Sequence, residues 1–124
     1  MSLLKRTKSV ATVDATWTAI DVFTLEDVHT YYIKVKVIAY CTGGAGGFAG
    51  SVAAYETWVA YKRAGAGPVI VGAVHPVMLE EDAAIAAAWG ITFAIVGNTI
   101  ELRVTGGATD NVSWSSFCEV MELE

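Results

Sequence analysis

From Thr30 to Tyr40 the chain places Ile33, Val35, Val37 and Ala39 on one side and Lys34 and Lys36 on the other. This period of two is that of a strand with one buried face. Trp17 to Leu25 alternates in the same way, with Trp17, Ala19, Asp21 and Phe23 on one side and Thr18, Ile20, Val22 and Thr24 on the other. Further strands are expected at Val10–Val13, Ser51–Arg63, Val69–Val77 and Val112–Glu122, with Pro76 placing one strand end at an edge or terminus. Ile91 to Val104 gives the sharpest expectation. Folding it about Gly97-Asn98 as a type II′ hairpin sets Val96 opposite Thr99, Ile95 opposite Ile100, Phe93 opposite Leu102 and Ile91 opposite Val104. Ala94 with Glu101 and Thr92 with Arg103 then form a wetter face, as a half-buried antiparallel pair requires.

One segment reads as helix. Glu80, Glu81 and Asp82 suit a helix N-terminus, alanines follow, and Gly90 fits the C-terminal cap. The expected fold is therefore all-β: an antiparallel β-sandwich or flattened barrel of about seven strands, with one short helix near 80–89. Thr42–Gly50 and Gly106–Asn111 are expected loops. Residues 1–8 read as a flexible N-terminal tail and 9–124 as a single β-sandwich domain.

Composition adds an interface. The 124 residues are 54% hydrophobic and only 17% charged, with a formal net charge of −5. A small domain with so few charges exposes apolar area, which points to a homo-oligomer or a part of a larger assembly. The acidic balance argues against nucleic acid, and the one basic cluster, Lys5, Arg6 and Lys8, reads as part of a solvated tail. Val37–Tyr55 and Ala83–Ile100 are uncharged runs close to membrane-spanning length. The first is broken by a glycine-rich segment and the second carries the hairpin, so membrane insertion is not expected.

Candidate chemistry is sparse. Gly44-Ala45-Gly46-Gly47-Phe48-Ala49 fits G-x-G-x-x-A, but Tyr55, Thr57, Trp58, Val59 and Tyr61 follow as a strand where a dinucleotide site needs a helix. A β–β connection and no cofactor is the reading. His29 and His75 have no neighbouring ligands in sequence and read as edge or solvated residues; no metal site is expected. Glu80-Glu81-Asp82 lacks calcium-loop spacing. Cys41 and Cys118 show neither metal nor redox spacing and read as buried thiols, their pairing open. No nucleophile elbow or catalytic set is present, so no enzyme and no catalytic residues are expected. Aromatic residues in strands mostly pack cores, but Phe48, on a glycine loop, is poorly explained that way. Phe48, Trp58, Asp110 and Asn111 are the candidate surface-binding residues.

From Tyr32 to Leu123 the chain resembles small modules of tail fibres and other virion structural proteins of tailed bacteriophages and prophages. The resemblance rests on Ile33–Tyr40 with Thr42-Gly43-Gly44, then Ser51–Glu56 and Ala60–Arg63. It continues through Glu81-Asp82, Trp89 and Val96–Ile100, then Leu102–Gly106, Val112-Ser113-Trp114 and Glu119–Glu122. Ala83–Ala88 departs from it, being less polar than in related modules. The resemblance implies a non-enzymatic structural module of the virion, assembled in the bacterial host cytoplasm. Its implied role is particle assembly or host-surface attachment. Its implied partners are copies of itself in a trimer, other virion proteins and host-surface polysaccharide. Two alternatives stay open: a monomeric carbohydrate-binding β-sandwich, and a capsid decoration or head-fibre protein.

Overall fold

A computed structural model describes the chain except for residues 1, 27, 47, 64, 66, 73, 75–77, 82–88 and 124. The strands are β1 (Ser2–Thr12), β2 (Thr18–Thr24), β3 (His29–Gly44), β4 (Val52–Arg63), β5 (Pro68–Val71), β6 (Met78–Glu81), β7 (Gly90–Val96), β8 (Thr99–Thr105) and β9 (Asp110–Leu123). They form two antiparallel sheets stacked as a sandwich, not closed into a barrel. The larger runs β1-β9-β3-β4-β5, with β6 also on β4; the smaller runs β2-β8-β7.

The alternation expected in β3 is observed. Ile33, Val35, Val37, Ala39 and Cys41 are buried, while Tyr32, Lys36, Ile38 and Tyr40 face outward. The flanking strands repeat it, with Ala53, Tyr55, Val59 and Tyr61 from β4 and Val112, Trp114, Cys118 and Val120 from β9 lying inside. Against this face the smaller sheet packs Ile20, Phe23, Ile100, Leu102 and Val104. Two ring pairs lie in the interior: Tyr61 meets Phe93 edge-on at 6.2 Å, and Trp89 lies 5.9 Å from Trp114. The Trp114 indole donates to Thr12 Oγ1 at 2.9 Å, which satisfies its one buried donor.

The hairpin forms in the expected register, pair for pair from Ile91–Val104 to Val96–Thr99. Gly97 has φ 56° and Asn98 does not have a positive φ, which is the type II′ pattern. On the wetter face Glu101 and Arg103 pair at 2.8 Å.

Four expectations are corrected. Residues 1–8 are not a flexible tail as far as they are described: Ser2–Thr12 is a strand, paired along its whole length with β9. Lys5, Arg6, Thr7, Lys8 and Ser9 carry no apolar alternation, so their strand state comes from the backbone groups that β9 offers at its edge. The helix expected near 80–89 does not start at Glu80. Met78–Glu81 pairs with Glu56–Ala53 of β4, and Gly90 opens β7 rather than capping a helix. Ladder bonds to an open edge outweigh the weak preference of acidic residues for a helix N-terminus. The rest of that segment, Asp82 to Ala88, lies outside the described residues, as do His75 and Pro76. The strand expected at Val69–Val77 is β5, which ends at Val71, and Gly72 follows with φ 80°. In β2 the register shifts between Ala19 and Asp21, a bulge that turns both Ile20 and Asp21 inward instead of alternating them.

The uncharged run Val37–Tyr55 spans the β3–β4 connection, and the second run enters β7. Among the described residues no helix is long and apolar enough to cross a membrane. Both cysteines are free and buried. Cys118 lies opposite Val35 on β3, so Cys41 sits about 20 Å further along the sheet, beyond disulfide reach.

Candidate functional site

Two features of the surface stand out, one at an end of the sandwich and one on its outer face. At the end, the chain leaves β2 at Leu25 and crosses to the other sheet to begin β3 at His29. The crossing is pinned on both sides. Leu25 N–H donates to the Asn98 carbonyl at 3.1 Å, and Val28 N–H to the Arg63 carbonyl at 2.7 Å. The Arg63 guanidinium in turn donates to the Leu25 carbonyl at 2.6 Å. Val28 takes φ 63°, a left-handed conformation that is rare for a β-branched residue.

This crossing brings four ionisable side chains together, those of Glu26, His29, Tyr31 and Glu122. His29 and Tyr31 both point to the inner side of β3, and Glu122 is opposite Tyr31 on β9. His29 Nδ1 lies 2.6 Å from Glu122 Oε2 and 3.7 Å from Glu26 Oε2. The Tyr31 hydroxyl donates to Glu122 Oε2 at 2.7 Å and accepts from Glu26 N–H, also at 2.7 Å. Burial, then the hydrogen bond to Glu122, pushes the Tyr31 phenol up to about 12. Tyr31 therefore stays neutral and acts as a fixed donor to the carboxylate. Beside the cluster is a cleft of about 200 Å³ walled by Leu4, Arg6, Phe23, Leu25 and Val120. Arg6 donates to the Val22 carbonyl and is committed to the Asp21 carboxylate, whose hydrogen bond raises its already high pKa.

On the outer face of the larger sheet, registers align residues in rows across β1, β9, β3 and β4. Leu3, Met121, Tyr32 and Ala60 form an apolar row, and Leu123 borders the same apolar hollow. The next row holds Lys5, Glu119, Lys34 and Trp58, and Lys34 pairs diagonally with Glu56 at 3.4 Å. Beyond the charges lie Ile38, 64% exposed, and Tyr40. The face is thus a charged band between two apolar ends.

The residues singled out from sequence do not form one site. The glycine loop folds onto Thr109 and the first residues of β9. Gly44 pairs with Asp110, Gly46 N–H donates to the Thr109 carbonyl, and Thr42 Oγ1 donates to the Asn111 carbonyl. Asp110 is only 2% exposed, and its Oδ2 accepts from the Trp89 indole at 3.1 Å, so it braces the fold from inside. Asn111 is exposed beside it. Phe48 is half-buried and packs against the core, so core packing accounts for the residue it was expected not to explain. Trp58 stands apart on the outer face among the charged row. Sequence reasoning set His29 aside as an edge residue and did not single out Glu26, Tyr31 or Glu122. The only local signal is the spacing of Glu26 and His29, since Glu122 joins them from 93 residues away.

The sandwich fold recurs in a known phage protein. The tailspike of Acinetobacter baumannii phage AM24 superposes with a TM-score of 0.59 over 95% of this chain and 26% of its own, at 10% identity. Two weaker likenesses have TM-scores of 0.41, each over 98% of this chain at 15% identity. They are the tailspike of Acinetobacter baumannii bacteriophage Fri1, described as a capsular polysaccharide depolymerase, and that of Acinetobacter phage vB_ApiP_P1. The chain spans about a quarter of the first protein and about a fifth of the other two. No protein-family profile matches the sequence, and no curated protein matches it. The chain thus shares a fold with part of a phage tailspike.

Proposed function

We propose that this chain is a non-enzymatic structural module of a tailed-phage tail fibre or tailspike, a virion component acting in particle assembly or host-surface attachment. The observation that carries the reading is the fold shared with the AM24 tailspike over nearly the whole chain. The outer face of the larger sheet supports it. A row of Leu3, Met121 and Tyr32 in water is what a contact between copies would cover, and the mixed charges beside it set register rather than repel. Three copies per assembly is the proposed state, with host-surface polysaccharide as the proposed external partner. Of the candidate binding set, Asn111 is exposed, and Trp58 is half-buried like Phe48 but lies on the outer face of the larger sheet, where stacking on a sugar ring suits its indole.

Light scattering behind size exclusion tests the assembly. The expected molar mass is three times that of the chain, and a Tyr32→Glu/Met121→Glu variant is expected to be a folded monomer. A wild-type monomer would overturn the assembly reading. A carbohydrate-binding module acting alone would then become the first reading, and a glycan array the next measurement.

A further inference from the structure

We infer that Glu26, His29 and Glu122 form a binding site for a first-row divalent cation of the zinc class. The donor atoms of the three side chains all lie within 4.8 Å of one another. Around a zinc ion with bonds of about 2.0–2.2 Å, tetrahedral ligand atoms sit roughly 3.4 Å apart. His29 Nδ1 and Glu26 Oε2, at 3.7 Å, already approach that spacing. His29 Nδ1 and Glu122 Oε2, at 2.6 Å, need to open by less than an ångström.

Charge favours the same conclusion. Two carboxylates converge on one imidazole, so even a protonated His29 leaves net negative charge at the point where the three meet. The nearby guanidiniums are engaged elsewhere. Arg6 is held by Asp21 and the Val22 carbonyl, and Arg63 donates to the Leu25 carbonyl. A divalent cation would neutralise the cluster.

The surroundings hold the ligands in place. Tyr31 donates to Glu122 Oε2 while receiving the backbone N–H of Glu26, so one phenol orients one ligand and anchors the residue that carries another. The left-handed turn at Val28 directs the chain between Glu26 and His29. The ligand set also selects the metal. An imidazole with two carboxylates suits zinc or its first-row neighbours, whereas calcium and magnesium take oxygen ligands throughout. Three protein ligands leave a fourth position, on the solvent side where the Glu26 side chain is 73% exposed.

The test is calorimetric titration of tag-free protein with zinc chloride at neutral pH, read per chain so that oligomeric state does not enter. One zinc per chain with micromolar affinity is expected, with a rise in thermal midpoint on saturation. Glu26→Gln, at an exposed position that does not carry the fold, is expected to weaken binding at least about tenfold. His29→Gln, with circular dichroism confirming the fold, is expected to abolish it. Binding by Glu26→Gln and His29→Gln equal to wild type would place the zinc elsewhere, for instance on His75, and overturn the site. So would failure to saturate below ~1 mM, or calcium binding as tightly as zinc.

Discussion

A Cβ placed on Gly46 would overlap Oδ1 of Asp110, a carboxylate oxygen buried without a hydrogen-bond partner among the described residues. The glycine is there for space, and Asp110 has nowhere to move because its other oxygen holds the Trp89 indole. Gly46→Ala is therefore expected to cost about 1–3 kcal/mol in urea unfolding. Gly43, three residues earlier, has nothing within 4 Å of its would-be Cβ and no left-handed φ. Gly43→Ala is expected to stay within about 0.5 kcal/mol. Equal effects of the two substitutions would show that the loop does not close on Asp110. Both glycines are visible in the sequence. Which one is crowded is not, because the crowding atom belongs to the start of β9, more than sixty residues away.

Between elements, the link most exposed to test is the one Arg6 makes from β1 to β2. Its guanidinium forks onto Asp21, whose side chain the β2 bulge has turned inward and which is only 4% exposed. Arg6 also lies 4.6 Å over the Phe23 ring. The two strands are edges of different sheets, so this ion pair helps close one side of the sandwich. Arg6→Met leaves a buried, unpaired carboxylate and is expected to cost about 3 kcal/mol. Adding Asp21→Leu should recover much of that loss, since the penalty comes from the stranded charge. A single variant as stable as wild type would mean that Asp21 is reached by water or another cation. The same strand shows where the sequence misleads: Lys5, Arg6 and Lys8 look like a solvated tail until β9 is known to lie beside them.

At the scale of the whole molecule, the interior carries groups that must stay neutral. Burial pushes the phenols of Tyr31 and Tyr61 up to about 12 from 10.0, and the Cys118 thiol up to about 12 from 9.0, the nearby Asp21 charge adding to the last. In the unfolded chain these groups ionise at their ordinary values, so above pH 9 it releases protons that the folded chain retains. Stability is therefore full below pH 9 and is lost progressively as pH rises toward 12. Urea midpoints measured upward from pH 9 should fall, and Tyr61→Phe should flatten the decline. That variant should also be no less stable at neutral pH, because the Tyr61 hydroxyl is buried without a hydrogen-bond partner among the described residues. A flat alkaline profile would contradict the burial of these groups. The outer face gives the other test at this scale: its exposed apolar ends match the low charge of the composition, and the molar mass in solution decides whether copies cover them.

What the sequence determined by itself is what neighbouring residues encode. Period-two alternation marked β3 and its buried face, β-favouring Tyr, Trp and Val marked β4, and Gly97-Asn98 set the hairpin register to the residue. A one-residue slip there would bring the apolar side chains into water. The tertiary structure decided whatever depends on a distant partner. It made a polar segment into β1, placed Glu80 and Glu81 in an edge strand, put Phe48 against the core, and kept Cys41 from Cys118. It also brought Glu122 to His29. Such pairings depend on backbone groups and side chains that meet only after the sheets have formed, and no local pattern of hydrophobic and polar residues records them.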